Sequence, residues 1–559
     1  MKKENIISTI ILLLAAFWGS HPAILAQSNA VKKAADAVFT LTTFKADGTV
    51  IATTNGVFIG SHATGVSPWT PFVGADHAVV IDSKGAKHDV ESMIGANGIY
   101  DIARFHISGN APATLQPVSQ RPAANGQIWV VPNKKSNAPQ AGSIANTETF
   151  MDKYAYYILN SEASDMMNGC PVVENSGKVL GIYNVSSTTR SSTDLQFAMD
   201  FAVSGMSQND PTLQQTAIRI ALPTDQEQAR LALMLAAEHG TRNYEATVDD
   251  FIRLFPNLND GYYAKALIAA NKNATEEAEK VLQTALQKVD DKAEAHHNYA
   301  RFLLSLANST ESNTDEKRNA YLEKALAESK QAQSLSAEPV YQQMEAQLHY
   351  NKGDYQLAYD QFMALADKQK TNGELYYQAA LAQEQLGGED SKIHELLDKA
   401  VEVCDTPYTI VAAPYLLARG IQRDKMKDYR NAMTDFYIYE AIMYGQVGAP
   451  FYFMRGQSEA RGKIFQPALN DIAHAIALDP RNTLYWAELA SLNLRVKKLP
   501  EAIKSAEQCI ALDPTISEAY LVLGVAQAES GQKSEGIRNM EKAKELGNEQ
   551  AETFLAKYK

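Results

Sequence analysis

The N-terminal half of the chain contains residues able to do acyl-transfer chemistry. His62, His77 and His88 lie there with Asp101, Ser161, Ser164 and Cys170. A hydroxyl or thiol becomes a useful nucleophile when an imidazole shares a hydrogen bond with it and a third group orients the imidazole. A dyad drawn from these residues would make the chain a hydrolase; the plainer reading is surface histidines and serines in loops. Metal chemistry is not indicated, because Cys170, Cys404 and Cys509 show no Cys/His spacing of a metal site. Three cysteines cannot pair fully. No cofactor is implied.

The elements that must position these residues change character along the chain. Residues 27–206 read as β structure, with short Val-, Ile-, Phe-, Tyr- and Thr-rich runs between polar and glycine turns. The expected strands are Ala37–Phe44, Asn55–Gly60, His77–Asp82, Asp101–Ile107, Gln127–Val131, Tyr154–Asn160, Pro171–Glu174, Lys178–Asn184 and Leu195–Met199. Many short strands at such spacing predict a barrel or sandwich. Residues 207–224 carry breaker signals, including Asn209-Asp210-Pro211 and Leu222-Pro223, and are expected as a linker. Residues 225–559 then take a helical period.

Composition and the N-terminus bound the partners. The 559 residues carry 52 basic and 65 acidic side chains, a net charge of −13, with no basic patch, which argues against nucleic acid. Lys2 and Lys3 precede an apolar run from Ile6 to Trp18, and Ile24-Leu25-Ala26 forms a plausible cleavage site. Residues 1–26 therefore read as a signal peptide, and the mature protein as exported, periplasmic or secreted, with a bacterial envelope its expected home. No later segment is apolar for long enough to cross a membrane.

The helical half repeats. Gly456, Ala490 and Gly524 stand 34 residues apart, as do Ala468, Ala502 and Gly536, and Ala475, Cys509 and Ala543. Small residues separated by 12 allow two antiparallel helices to approach closely, and Pro480 and Pro514 end the second helix of two copies. The pattern resembles the tetratricopeptide repeat. It can be traced back through Gly420/Ala432, Ala346/Ala358 and Ala266/Ala278 to a degenerate first unit at Gln226–Pro256, giving about nine helix pairs and a charged cap. The resemblance implies an all-α superhelix with a concave groove for a protein or peptide partner. Inward positions of the first helices nominate Tyr263, His297, Arg301, Gln343, Gln347, Tyr350 and Tyr377. No cluster of Lys and Asn suited to a terminal carboxylate is among them.

The β half resembles the trypsin-like serine proteases, most nearly their HtrA-type branch. The resemblance rests on Asn55-Gly56-Val57-Phe58-Ile59-Gly60, Tyr100-Asp101-Ile102-Ala103, Gly169-Cys170-Pro171-Val172-Val173 with Gly177 to Ile182, and Phe197-Ala198-Met199. It implies an all-β double barrel and a catalytic triad. Asp101 matches the acidic member. Counting back from Val73-Gly74-Ala75 puts Thr70 where the family has histidine, and counting back from Gly169 puts Asn168 at the nucleophile. Threonine has no group titrating near neutral pH, and asparagine has no hydroxyl to activate. Met166 replaces the glycine whose backbone N–H helps to form the oxyanion hole. The expectation is a multidomain scaffold protein: an inactive trypsin-like barrel, not an enzyme, followed by a partner-binding repeat superhelix. The alternative is an active secreted endopeptidase with displaced catalytic residues whose repeats dock substrate.

Overall fold

The computed structural model describes residues 27–60, 64–135, 138–238, 240, 243–309 and 314–559. The expected signal peptide and His62 lie outside them. The chain divides into two compact units, Met1–Asp291 and Lys292–Lys559.

In the first unit twelve strands form two closed antiparallel barrels. Strands β1 (Val38–Phe44), β2 (Val50–Ile59), β3 (Thr64–Ser67), β4 (His77–Ile81), β5 (Lys87–Asn97) and β6 (Ile102–Ile107) close in the order β1-β2-β3-β6-β5-β4. Strands β7 (Gln127–Val130), β8 (Gln140–Phe150), β9 (Tyr154–Ser161), β10 (Pro171–Val173), β11 (Val179–Val185) and β12 (Arg190–Asp194) close as β10-β11-β12-β9-β8-β7. The double barrel expected from the resemblance is therefore present. Closure leaves no unpaired sheet edge. Phe39, Phe58, Phe72 and Phe105 fill the first barrel, and Gly56 and Gly65 make room for them. A Cβ at Gly56 would lie 2.4 Å from the Phe39 ring, and one at Gly65 would lie 2.6 Å from Phe105.

Strands β3, β5, β8 and β12 lacked a readable apolar run. Gln140–Phe150, for example, buries only two of its residues. Leu195–Met199, expected as a strand, is a helix capped by the Asp194 side chain, which accepts from the Gln196 N–H. The cap satisfies an amide that a short helix cannot bond internally. Residues 207–224 contain the expected turns, and they also pack along the first barrel. Met93 N–H donates to the Arg219 carbonyl and its own carbonyl accepts from Ala221, both at 2.8 Å, while Leu213, Ile218 and Ile220 join the barrel core.

Among the described residues, nineteen helices from Gln226 to Tyr558 form nine pairs and a terminal helix, consistent with a tetratricopeptide superhelix. Two pairs belong to the first unit; seven pairs and the last helix belong to the second. The spaced small residues do the packing assigned to them. A Cβ at Gly536 would lie 2.4 Å from the Gly524 carbonyl oxygen, so those two helices touch backbone to backbone. Turns between paired helices use a left-handed residue: Gly353, Gly387 and Gly531 adopt it freely, and Lys463 and Lys497 adopt it at about 1–2 kcal/mol each.

Candidate functional site

A cleft of about 940 Å³ lies between the barrels, and the three degenerate triad positions, Thr70, Asp101 and Asn168, line it together with Met166 at the oxyanion position. Thr70 enters on the turn after β3, where Pro71 starts a single 3₁₀ turn. Asp101 precedes β6 with a left-handed backbone, φ 45°. The second barrel steadies it: Thr193 Oγ1 donates to the neighbouring Tyr100 carbonyl at 2.9 Å. Met166 and Asn168 lie on and after the 3₁₀ turn Asp165–Met167.

Thr70 takes one oxygen of the acid. Its N–H and its hydroxyl donate to the same Asp101 Oδ1, at 2.7 and 2.8 Å. At the other wall Asn168 is tied down. Its Oδ1 accepts from the Val185 N–H at 3.0 Å. Its carbonyl accepts from Asn55 N–H at 3.2 Å, Asn55 Nδ2 at 3.0 Å and Thr54 Oγ1 at 3.2 Å.

The amides that could stabilise an oxyanion are also engaged. Met166 N–H donates to Ser164 Oγ at 3.3 Å, and Asn168 N–H to the Asp165 carbonyl at 3.1 Å. An oxyanion hole needs donors aimed at the oxygen where charge develops; these two close the local turn. Gly169 has φ +80°, and a Cβ there would lie 2.1 Å from the Asn55 carbonyl oxygen, so only glycine fits where the barrels meet.

The other candidates sit elsewhere. His77 stacks on Phe44 and faces Asp76 at 3.3 Å. Buried His88 meets the Ser108 carbonyl through Nδ1 and Asp82 through Nε2. Ser161 Oγ accepts from the Ala163 N–H. Cys170 is fully buried, and burial pushes its thiol far above the ordinary range. None of these four lines the cleft. Asn55 and Val185, which hold Asn168, were not nominated as site residues by sequence. The Asn55–Asn168 contact joins residues 113 apart and leaves no local signal.

Of the nominated groove residues, Tyr263 belongs to the first unit and the other six to the second. His297 is half-buried against Tyr341, ring centroids 5.2 Å apart, and its Nδ1 has no hydrogen-bond partner among the described residues. Burial and then the Arg301 charge lower its pKa to about 4, so it is neutral at physiological pH. The Gln347 carbonyl accepts from Asn351 Nδ2 at 2.8 Å. Tyr350 packs on Tyr355 and Tyr377 on Tyr415, at 5.4 and 5.2 Å.

The chain has two parts: a pair of closed six-stranded antiparallel β-barrels and helical repeats resembling tetratricopeptide repeats. Among curated proteins, the Small glutamine-rich tetratricopeptide repeat-containing protein 2 of Saccharomyces cerevisiae is 29% identical over 98 residues, which is 18% of this chain and 28% of that protein. Among solved structures, the active form of the Rv3671c protease from M. tuberculosis aligns over 32% of this chain and 85% of its own, at 12% identity and a TM-score of 0.28. No family model matches the sequence.

Proposed function

We propose that this chain is an exported protein-binding scaffold whose double barrel does not hydrolyse peptides. The observation that carries the reading is the state of the cleft. Thr70 holds Asp101 where an imidazole would be needed, and Asn168 spends its side chain on Val185. Nucleophile, base and anion-stabilising donors are the minimum for acyl transfer. Here each position carries a side chain or hydrogen bond unsuited to the role. The repeats supply the binding surface, because stacked helix pairs present a continuous concave face to a partner. Export follows from the two lysines and apolar run at the N-terminus.

Capture from a bacterial envelope extract tests the reading, with bound proteins identified by mass spectrometry. Wild type is run beside one groove variant, Ile421→Asp, and one cleft variant, Asn55→Ala. Loss of a specific partner in the groove variant alone places recognition in the repeats. Loss in the cleft variant alone moves recognition to the barrels. Recovery of peptides cut at a reproducible bond would contradict the scaffold reading.

A further inference from the structure

We infer that the second unit's groove takes a protein segment presenting one basic side chain beside an apolar helical face. This rests on the reading of the repeats as a partner-binding surface and names the chemistry of that partner. The basic side chain lies against Tyr377 and Glu384, with Tyr350 close by; the apolar face lies against Leu381, Leu417 and Ile421.

Two features of neighbouring helices meet here. The helices Gly373–Gln385 and Ala413–Lys425 enclose a pocket of about 300 Å³ lined by Tyr377, Leu381, Glu384, Leu417 and Ile421. Pro414, Leu417 and Ile421 are spaced by three and four residues, so they form one stripe along their helix. Ile421 remains 45% exposed, and Ile410 and Val411 extend the stripe at 57% and 62% exposed. Tyr377 and Leu381, four residues apart, form the matching stripe opposite. A stripe of this width on two facing helices fits the apolar face of a third.

The other end of the pocket is aromatic and acidic. Burial raises the Tyr377 phenol above its ordinary range, and the charges of Glu374 and Glu384 raise it further. Tyr350 is raised by burial, by Tyr355 and by Glu384. These phenols therefore lie in a negative field. A cation over a tyrosine ring with a carboxylate beside it gains from both. The basic side chains of the adjoining helix are held elsewhere. Lys425 pairs with Asp390 at 2.7 Å, and Arg419 and Arg423 both bind Asp398 and Asp435. Glu374 is engaged by the Tyr415 hydroxyl at 2.9 Å. Glu384, exposed at the lip, feels the Lys425 charge and is the pocket's carboxylate for a partner's charge.

The test is fluorescence anisotropy on the full chain with three labelled peptides of about twelve residues, enough for some three helical turns. One carries Arg ahead of leucines at helical spacing, the second replaces Arg with Glu, and the third replaces the leucines with Ser. The first should bind, and the other two should bind at least about tenfold more weakly. Glu384→Lys should reverse the preference between Arg and Glu peptides, and Ile421→Asp should weaken both. Circular dichroism of each variant confirms that the helices remain. Equal binding of Arg and Glu peptides, or an unchanged preference in Glu384→Lys, overturns the proposed chemistry. Absence of binding by all three also overturns it. Partner capture that survives both Ile421→Asp and Asn55→Ala would then place recognition outside this pocket and leave the broader scaffold reading intact.

Discussion

Asn168 shows how the cleft is held and how much of it could be read in advance. Counting from short motifs brought Thr70, Asp101, Met166 and Asn168 to one place, and all four line one cleft. Motif spacing works here because barrel strands have a fixed rise, so a residue's distance from a paired strand sets its position. The partners were not legible. Val185 N–H reaches Asn168 when the second barrel closes, and Asn55 only when the two barrels pack. Asn168→Ala therefore leaves the half-buried Val185 N–H without an acceptor and should lower stability by about 1–3 kcal/mol in urea unfolding. Thr70 is exposed, so Thr70→Ala should change stability by less than about 1 kcal/mol although it also loses a hydrogen bond. Equal effects for the two would contradict the role of the Asn168 side chain as the acceptor that holds Val185 within the second barrel.

At the scale of elements, the repeat helices pack by two devices. Backbone approach was legible from spacing alone. Gly536→Val should destabilise the array by about 1–3 kcal/mol, since its side chain would collide with the Gly524 carbonyl. Circular dichroism in urea would check it, and no loss would mean that the helices can separate freely. The second device was not legible, because it puts charge where apolar residues were expected. Arg419 and Arg455 stand 36 residues apart; each makes a two-pronged bond to an aspartate, Asp435 and Asp471, and reaches the preceding pair through Asp398 and Glu440. Beside Arg455, Glu459 is fully buried and accepts from the Tyr437 hydroxyl at 2.6 Å. Burial raises its pKa from 4.5 to about 7, against the Tyr437 hydrogen bond. A carboxyl whose folded pKa exceeds its unfolded value holds its proton more tightly when folded. Its cost is therefore absent below about pH 4.5 and grows until about pH 7, so stability falls as pH rises through that window. Glu459→Gln should raise the urea midpoint at about pH 8 and change it little at about pH 4. An equal change at both would mean that Glu459 is ionised throughout.

Across the whole molecule, the sequence divided into β and helical halves where the period changed from two to helical, and that change is real. The compact units divide later, at Asp291, because residues 207–224 add hydrogen bonds and core side chains to the first barrel and four helices follow in the same unit. Breaker residues mark where a chain turns; whether the turned segment then packs depends on distant partners. We propose that the protein binds partners and does not cut them. A fluorophosphonate probe with mass spectrometry on the full-length protein tests this most directly, since it labels any serine activated by a neighbouring base. The account predicts no labelled residue, in wild type or in Asn168→Ser, because restoring a hydroxyl without a base leaves it unactivated. Labelling of Ser161 or Ser164 in the folded wild type would contradict it and make the barrels a peptidase.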